Sequence, residues 1–252
     1  MGILNSNPPS PSTPGRHSWS RSSSSQMGAL QQHPRNRQTQ RLGYWTMSRK
    51  LVLVMVGLPA RGKSYIVKML IRYLNWIGTF RFPTQVFNIG DYRRKLGYAG
   101  VDKSFFEEDN EEGQRVRAQM VQVVQDEMYE WLQKDDCAKV ALFDATNTTK
   151  ARRQMLVSRS KVEKNTMLVF IESICDDPEI LTQNYKLKLK NEDYKNQDPD
   201  AALKDFKQRV KAYEAVYETI EDNEDGGDIQ YIKLYNVGQK VVTRNCKGYL
   251  PS

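Results

Sequence analysis

The run Gly57-Leu58-Pro59-Ala60-Arg61-Gly62-Lys63-Ser64 sets two glycines, a lysine and a hydroxyl at the G-x-x-x-x-G-K-[ST] spacing that cradles phosphate groups. Backbone N–H groups converge on the anion, the lysine reaches the β and γ phosphates, and the serine hydroxyl coordinates Mg²⁺. The pattern carries weight only between a strand and a helix, because the helix's positive end must meet the same anion. Here both flanks are present. Leu51 to Val56 is a continuous apolar run of buried-strand type, and an amphipathic stretch follows through about Ile77. ATP with Mg²⁺ is the expected ligand, and Tyr65 continues the loop.

A bound nucleotide needs a further carboxylate. Val140-Ala-Leu-Phe-Asp144 ends an apolar strand in Asp144, at the carboxyl edge where open α/β sheets take their ligands. There Asp144 either holds Mg²⁺ through water or accepts the proton of an attacking hydroxyl; the competing reading is a helix N-cap before Lys150. Thr146, Asn147, Thr148 and Thr149 extend the loop with groups suited to a sugar. Cations left over from the nucleotide are Arg93 and Arg94 after the second strand, Arg117, Arg152 with Arg153, and Arg209 with Tyr213 at i, i+4. Singly, each arginine reads as a solvated surface charge. Together they point to an anionic acceptor, since guanidinium forks match phosphate oxygens.

The elements that must position these groups alternate from residue 50 onward: apolar strands, then amphipathic helices. The expected fold class is α/β, a P-loop nucleoside-triphosphate-binding fold with a doubly wound, mostly parallel sheet and helices on both faces. The first helix is expected to bury Ile66, Met69, Leu70, Tyr73 and Leu74. Next come a strand Val86 to Ile89 and a helix from about Asn110 to Lys134, with Val116, Met120, Val123, Val124, Met128 and Leu132 at helical spacing. Strand Val140 to Phe143, a helix, and strand Met167 to Glu172 follow. Helices near Pro178 to Lys190 and Ala201 to Thr219 and a strand Ile229 to Tyr235 bring the count to five strands.

Composition narrows the function classes. At 252 residues, 39% apolar and 27% charged, the chain suits one large α/β domain. No apolar run approaches the ~18 residues of a membrane span. Three cysteines, Cys137, Cys175 and Cys246, without C-x-x-C spacing, fit the reducing cytoplasm. The two histidines, His17 and His33, both precede the folded region, which excludes Ser/His/Asp hydrolysis and phosphohistidine chemistry. The net charge of +8 is carried almost wholly by residues 1 to 50, which hold seven basic residues and no acidic one. No nucleic-acid partner is therefore expected for the domain. Residues 1–49 read as a disordered basic tail and 50–252 as the folded domain. Met1-Gly2-Ile3-Leu4-Asn5-Ser6 matches the N-myristoylation pattern, which with the arginines would give weak membrane contact; an ordinary leader or a targeting peptide fits the same residues.

Ordered blocks then identify a relative. Gly57 to Tyr65, Tyr73-Leu-Asn-Trp-Ile-Gly78, Phe87-Asn-Ile-Gly-Asp-Tyr-Arg-Arg94, Asp109-Asn-Glu-Glu112, Phe143-Asp-Ala-Thr-Asn-Thr-Thr149 and Phe170 to Pro178 closely resemble the kinase half of the 6-phosphofructo-2-kinase/fructose-2,6-bisphosphatase family, over about residues 50 to 250. The resemblance implies phosphorylation of the 2-hydroxyl of fructose 6-phosphate by ATP, and a homodimer. It implies that residues 57 to 65 and Asn184 hold ATP, that Asp144 is the catalytic carboxylate, and that Lys63 neutralises the transferring phosphoryl. Arg93, Arg117, Thr146, Arg152, Lys188, Arg209 and Tyr213 would contact fructose 6-phosphate, and Cys175 matches a cysteine the family associates with the site. A small apolar filler is the other reading of Cys175.

Departures from the family pattern are informative. Ser64 stands where the family commonly has Thr. Thr79 to Pro83 is a longer link than usual. The segment Asn184 to Lys190 is one residue short, so Lys186 or Lys190 competes with Lys188. The R-H-G phosphatase motif is absent and no histidine follows residue 33, so bisphosphatase activity is not expected of this chain. Two other readings share the loop: another P-loop kinase acting on a small molecule or a polynucleotide end, and a nucleotide-dependent switch.

Overall fold

The computed structural model describes residues 50–77, 83–101, 103–107, 109–195 and 197–246. The tail, with its myristoylation pattern, and the link at 79–82 lie outside the described residues. Strands β1 (Lys50–Val56), β2 (Thr84–Asn88), β3 (Lys139–Asp144), β4 (Thr166–Ile174) and β5 (Tyr231–Tyr235) run parallel in the order β2-β3-β1-β4-β5. A sixth strand, β6 (Lys240–Arg244), closes the β5 edge antiparallel. It exceeds the expected five because its residues are exposed or half-buried, leaving neither a central-strand apolar run nor a clean alternation to read.

The chain lays β1, β2 and β3 on one side, then crosses β1 to add β4 and β5 on the other. The carboxyl ends of β1 and β3 flank this reversal, where the loops diverge and leave a crevice. Helices α1 (Lys63–Ile77), α2 (Ile89–Lys95), α3 (Glu111–Gln133), α4 (Lys150–Val162), α5 (Pro178–Lys188) and α6 (Pro199–Ala215) connect the strands, with a 3₁₀ turn at Lys103–Phe106. Their starts are set by caps: Asn88, Asn110, Thr149, Asp177 and Asp198 each accept a first-turn N–H, and Pro178 and Pro199 occupy a first-turn position where no donor is needed.

Strand alternation divides the core. Val52, Val54 and Val56 of β1 pack with Val124, Met128 and Leu132 of α3 and Leu156 of α4, whereas Met55 packs on the opposite face with Val67 of α1. Two expected helix faces are corrected by this packing. In α1, Met69 and Tyr73 are 44% and 56% exposed, and Val67 is the buried residue, with Ile66, Leu70 and Ile71 beside it. In α3, Val123 is exposed and Val121 buried. Both helices carry more apolar residues than one stripe can hold, so composition alone did not fix which were inside.

Helix α6 ends at Ala215, four residues before the expected Thr219. The chain beyond it is captured by a fully buried carboxylate on β4: the Tyr217 hydroxyl donates to Glu172 at 2.5 Å, and the Ile220 N–H donates to the same group at 3.2 Å. A third small core joins Tyr194, Ala202, Phe206 and Val210 to Ala60 of the glycine-rich loop. No helix among the described residues is long and apolar enough to cross a membrane.

Candidate active site

The glycine-rich loop leaves β1 and enters α1, and its backbone is stitched to the loop after β3. Gly57 N–H donates to Thr146 O at 2.9 Å, and Asn147, itself at φ 45°, donates from Nδ2 to Met55 O at 2.8 Å. Gly57 has φ +133°, and a Cβ there would sit 2.5 Å from Ser173 O of β4. Gly62 has φ +84° with open space around it. Gly57 is thus demanded by the neighbouring strand as well as by its own dihedral, Gly62 by its dihedral alone. Gly57→Ala should cost more than about 2 kcal/mol of stability and Gly62→Ala only the left-handed penalty of about 1–2 kcal/mol, an order that urea unfolding of the two variants checks.

The loop borders a cavity of about 750 Å³ at the carboxyl edge of the sheet. Lys63 is 8% exposed and donates from Nζ to Leu58 O at 2.6 Å. Burial pulls its ammonium down to about 7, with Asp144 opposing the shift and Lys188, Arg61 and Arg209 adding to it. Asp144 is buried at the end of β3, and Asn88 Nδ2, its register neighbour on β2, donates to Asp144 Oδ2 at 2.6 Å. Asn88 Oδ1 also caps α2 by accepting from the Asp91 N–H, which fixes the amide's orientation.

Across the cavity stand more cations than carboxylates. Lys188 is held below its ordinary value by burial, against Asp144 and with Arg209 and Arg94 repelling it. Arg152 is lowered by burial and by Arg117; Arg117 is lowered by burial and by Arg209, with Tyr213 opposing. Arg117 also donates to Phe105 O and lies 5.8 Å over the Phe105 ring. Desolvated cations that repel one another are stabilised by an incoming anion, so the pocket is arranged for negative charge.

Most of the expected residues line this one cavity: Pro59, Ala60, Gly62, Lys63, Ser64, Tyr65 and Asn184, together with Arg93, Arg117, Thr146, Arg152, Lys188, Arg209, Tyr213 and Asp144. Lys188 lines the cavity, whereas Lys186 and Lys190 do not. Asn184 Nδ2 donates to Ala60 O at 2.9 Å, tying α5 to the loop tip.

Other expected residues are placed differently. Gly57, Leu58, Arg61 and Cys175 are absent from the lining. Leu58 contributes through its carbonyl to Lys63. The Arg61 side chain turns away, donating to Pro59 O at 3.1 Å and pairing with Glu214 of α6 at 3.3 Å. Cys175 is buried just past β4. Arg93 borders the cavity, but its Nη2 is spent on both oxygens of Asp193, at 2.7 and 2.6 Å, and its Nη1 on Tyr98 O. Arg153, the neighbour of Arg152, is fully buried and pairs with Glu224 at 2.6 Å.

Among the lining residues that went unread in the sequence are Asn88, Asp193 and Phe106. Asn88 could have been found, since it ends β2 beside Asp144. Asp193 gathers Arg93, Arg94 at 3.3 Å and Arg209 at 3.9 Å; burial pushes its carboxyl up, but the Arg93 bonds and the surrounding guanidinium charge outweigh that and hold it below the usual carboxylate range. That partnership spans one hundred residues of chain and leaves no local signature. All three cysteines are free.

The 6-phosphofructo-2-kinase family model matches residues 39–252. A probable 6-phosphofructo-2-kinase of Schizosaccharomyces pombe is 43% identical over 203 residues, which are 80% of this chain and 30% of that protein. A 6-phosphofructo-2-kinase/fructose-2,6-bisphosphatase of Aquarana catesbeiana is 42% identical over 202 residues, 80% of this chain and 42% of that one. The protein of Rattus norvegicus named 6-phosphofructo-2-kinase/fructose-2,6-bisphosphatase 3 is 41% identical over 202 residues, covering 80% and 36%. The chain spans less than half the length of each of these relatives.

Proposed function

Because the chain belongs to the 6-phosphofructo-2-kinase family, we propose that its pocket transfers the γ-phosphoryl group of ATP to the 2-hydroxyl of fructose 6-phosphate, giving fructose 2,6-bisphosphate. The observation that carries this reading is the charge around one cavity: a buried Lys63 and Asp144 face Arg117, Arg152, Lys188 and Arg209, enough positive charge for two phosphorylated substrates at once.

The loop N–H groups and the start of α1 bind the triphosphate, and Lys63, recharged by the anion, offsets the charge of the phosphoryl group in flight. Asp144 takes the proton of the 2-hydroxyl; that oxygen forms the new bond to phosphorus while the bridging bond breaks and its electron pair leaves with ADP. The Ser64 hydroxyl would hold a hard Mg²⁺ directly and Asp144 only through water, which leaves its carboxylate free as the base; both line the cavity. When bound, the ion supplies charge neutralisation at the β and γ phosphates. Arg117, Arg152, Lys188, Arg209 and Tyr213 hold the sugar phosphate, and Thr146 meets the sugar. Arg93 braces Asp193 in this reading and contacts no substrate. The reaction belongs in the cytoplasm, which three free cysteines suit, and in a homodimer, as the resemblance implies.

Identification of the product after incubation with Mg·ATP and fructose 6-phosphate tests the proposal. Fructose 2,6-bisphosphate is expected, with ATP consumption strictly dependent on the sugar phosphate; turnover of nucleoside monophosphates instead would overturn it. Arg209→Ala should raise the KM for fructose 6-phosphate on the order of tenfold or more and change kcat little, because it removes binding shared by ground and transition states.

Lys63 also sets a pH dependence. In the free protein it loses its proton near pH 7, and the bound anion raises that value, so above pH 7 nucleotide binding takes up a proton. ATP affinity should therefore fall as pH rises from about 7, by up to tenfold per unit. Calorimetry at pH 8 in two buffers of different ionisation heat should show uptake of nearly one proton, and Lys63→Met should show none.

A further inference from the structure

The 3₁₀ turn Lys103–Phe106 brings Phe106 against α6, where it is 7% exposed and lines the cavity. The Arg209 guanidinium lies over its ring, with Cζ 3.7 Å from the centroid. Tyr213, one helical turn further along α6, has its ring centroid 6.1 Å from the same ring, and Phe105 packs edge-on against it at 5.2 Å. The edge of the Arg209 guanidinium is engaged far less than its face. Its Nη1 is 3.9 Å from Asp193 Oδ2, the Tyr194 hydroxyl also interacts with the guanidinium, and its Nε is buried without a hydrogen-bond partner among the described residues.

An arginine held by its face keeps its in-plane N–H donors for a ligand. The contact also removes rotamer freedom before binding, so less ordering entropy is lost when an anion arrives. Lys63, Lys188 and Arg117 all feel the charge of Arg209 as repulsion. A guanidinium without an aromatic face beneath it would swing toward Asp193 or solvent.

We propose that Phe106 is a positioning residue for the acceptor's phosphate, holding Arg209 flat so that its terminal Nη donors meet the phosphoryl oxygens of the sugar. This rests on the substrate assignment made above. It gives the 3₁₀ turn a part in acceptor affinity and none in nucleotide binding.

The test compares Phe106→Leu and Phe106→Met, which fill the site without a ring, with Phe106→Tyr, which keeps one. Both the calorimetric Kd and the KM for fructose 6-phosphate are measured. In the ring-less variants both should rise on the order of tenfold, the scale of a desolvated cation–π contact, while kcat and the KM for ATP stay within about twofold. Phe106→Tyr should recover most of the affinity. In an Arg209→Ala background, Phe106→Leu should add nothing further. An unmoved Kd, an equal loss in Phe106→Tyr, or a full further loss in the Arg209→Ala background overturns the proposal. A chain that binds fructose 6-phosphate without phosphorylating it overturns the assigned reaction, and its Kd values still decide on Phe106. A chain that does not bind the sugar phosphate at all overturns both.

Discussion

Lys63→Met should lower fructose 2,6-bisphosphate production on the order of a thousandfold or more and leave the fold intact. The methionine keeps the length and apolar stem of the lysine and removes the charge that, in the proposed reaction, offsets the β and γ phosphates, where fixed positive charge carries much of phosphoryl-transfer catalysis. The stability side of the prediction follows from the burial of Lys63 at 8% exposure and the fall of its ammonium to about 7. Folding pulls that ammonium out of water, so a neutral side chain of similar shape should melt at the same temperature as the natural one or higher. The paired measurement is product formation and thermal melting of the same preparation. Near-normal production by the variant, or a large drop in melting temperature, would refute the role given to this lysine.

Glu224→Ala should have the largest effect on stability. Arg153 is fully buried, and its Nε and Nη2 donate to Glu224 at 2.9 and 2.6 Å. Deleting the carboxylate leaves a guanidinium with no counter-charge in the interior, a change that costs about 3–5 kcal/mol, or a fall of roughly 10 °C or more in a domain of this size. Arg153 also donates to Thr148 O at 3.4 Å and Glu218 O at 2.9 Å, holding the loop that follows Asp144. Urea unfolding should show the full loss, and kinase activity should weaken at temperatures where the variant remains folded.

These two residues show what a sequence displays and what it hides. Lys63 stood out because its neighbours along the chain are its neighbours in the site, and the loop's geometry is written in eight consecutive residues. Asp144 was legible for a similar reason, ending a strand of recognisable type. Arg153 sits beside Arg152 and looked equivalent to it, but helical geometry turns one guanidinium into the core and the other toward the cavity. Arg93 was read as a substrate contact because nothing near it announces Asp193, and Arg61 was assigned to ATP because its motif position says nothing of Glu214. Local pattern thus picked out Lys63, Ser64, Asp144, Arg209 and Tyr213, and the family resemblance added Asn184 and Lys188, all of which line the cavity, while the carboxylate and the ring that organise the arginines depended on contacts between distant segments. The edge strand β6 escaped for a different reason, having no buried face strong enough to leave a period.

The contacts of Ala60 and Arg61 with α5 and α6 bear on how far the domain can be divided. Ala60 is part of the same small core as Phe206 and Val210, Asn184 bonds its carbonyl, and Arg61 is anchored to Glu214. Excising residues 178–215 would therefore strip the glycine-rich loop of its scaffold along with the Lys188, Arg209 and Tyr213 lining of the cavity. The glycine-rich loop and the cation-bearing helices were built as one piece and can only be inherited, transplanted or lost together.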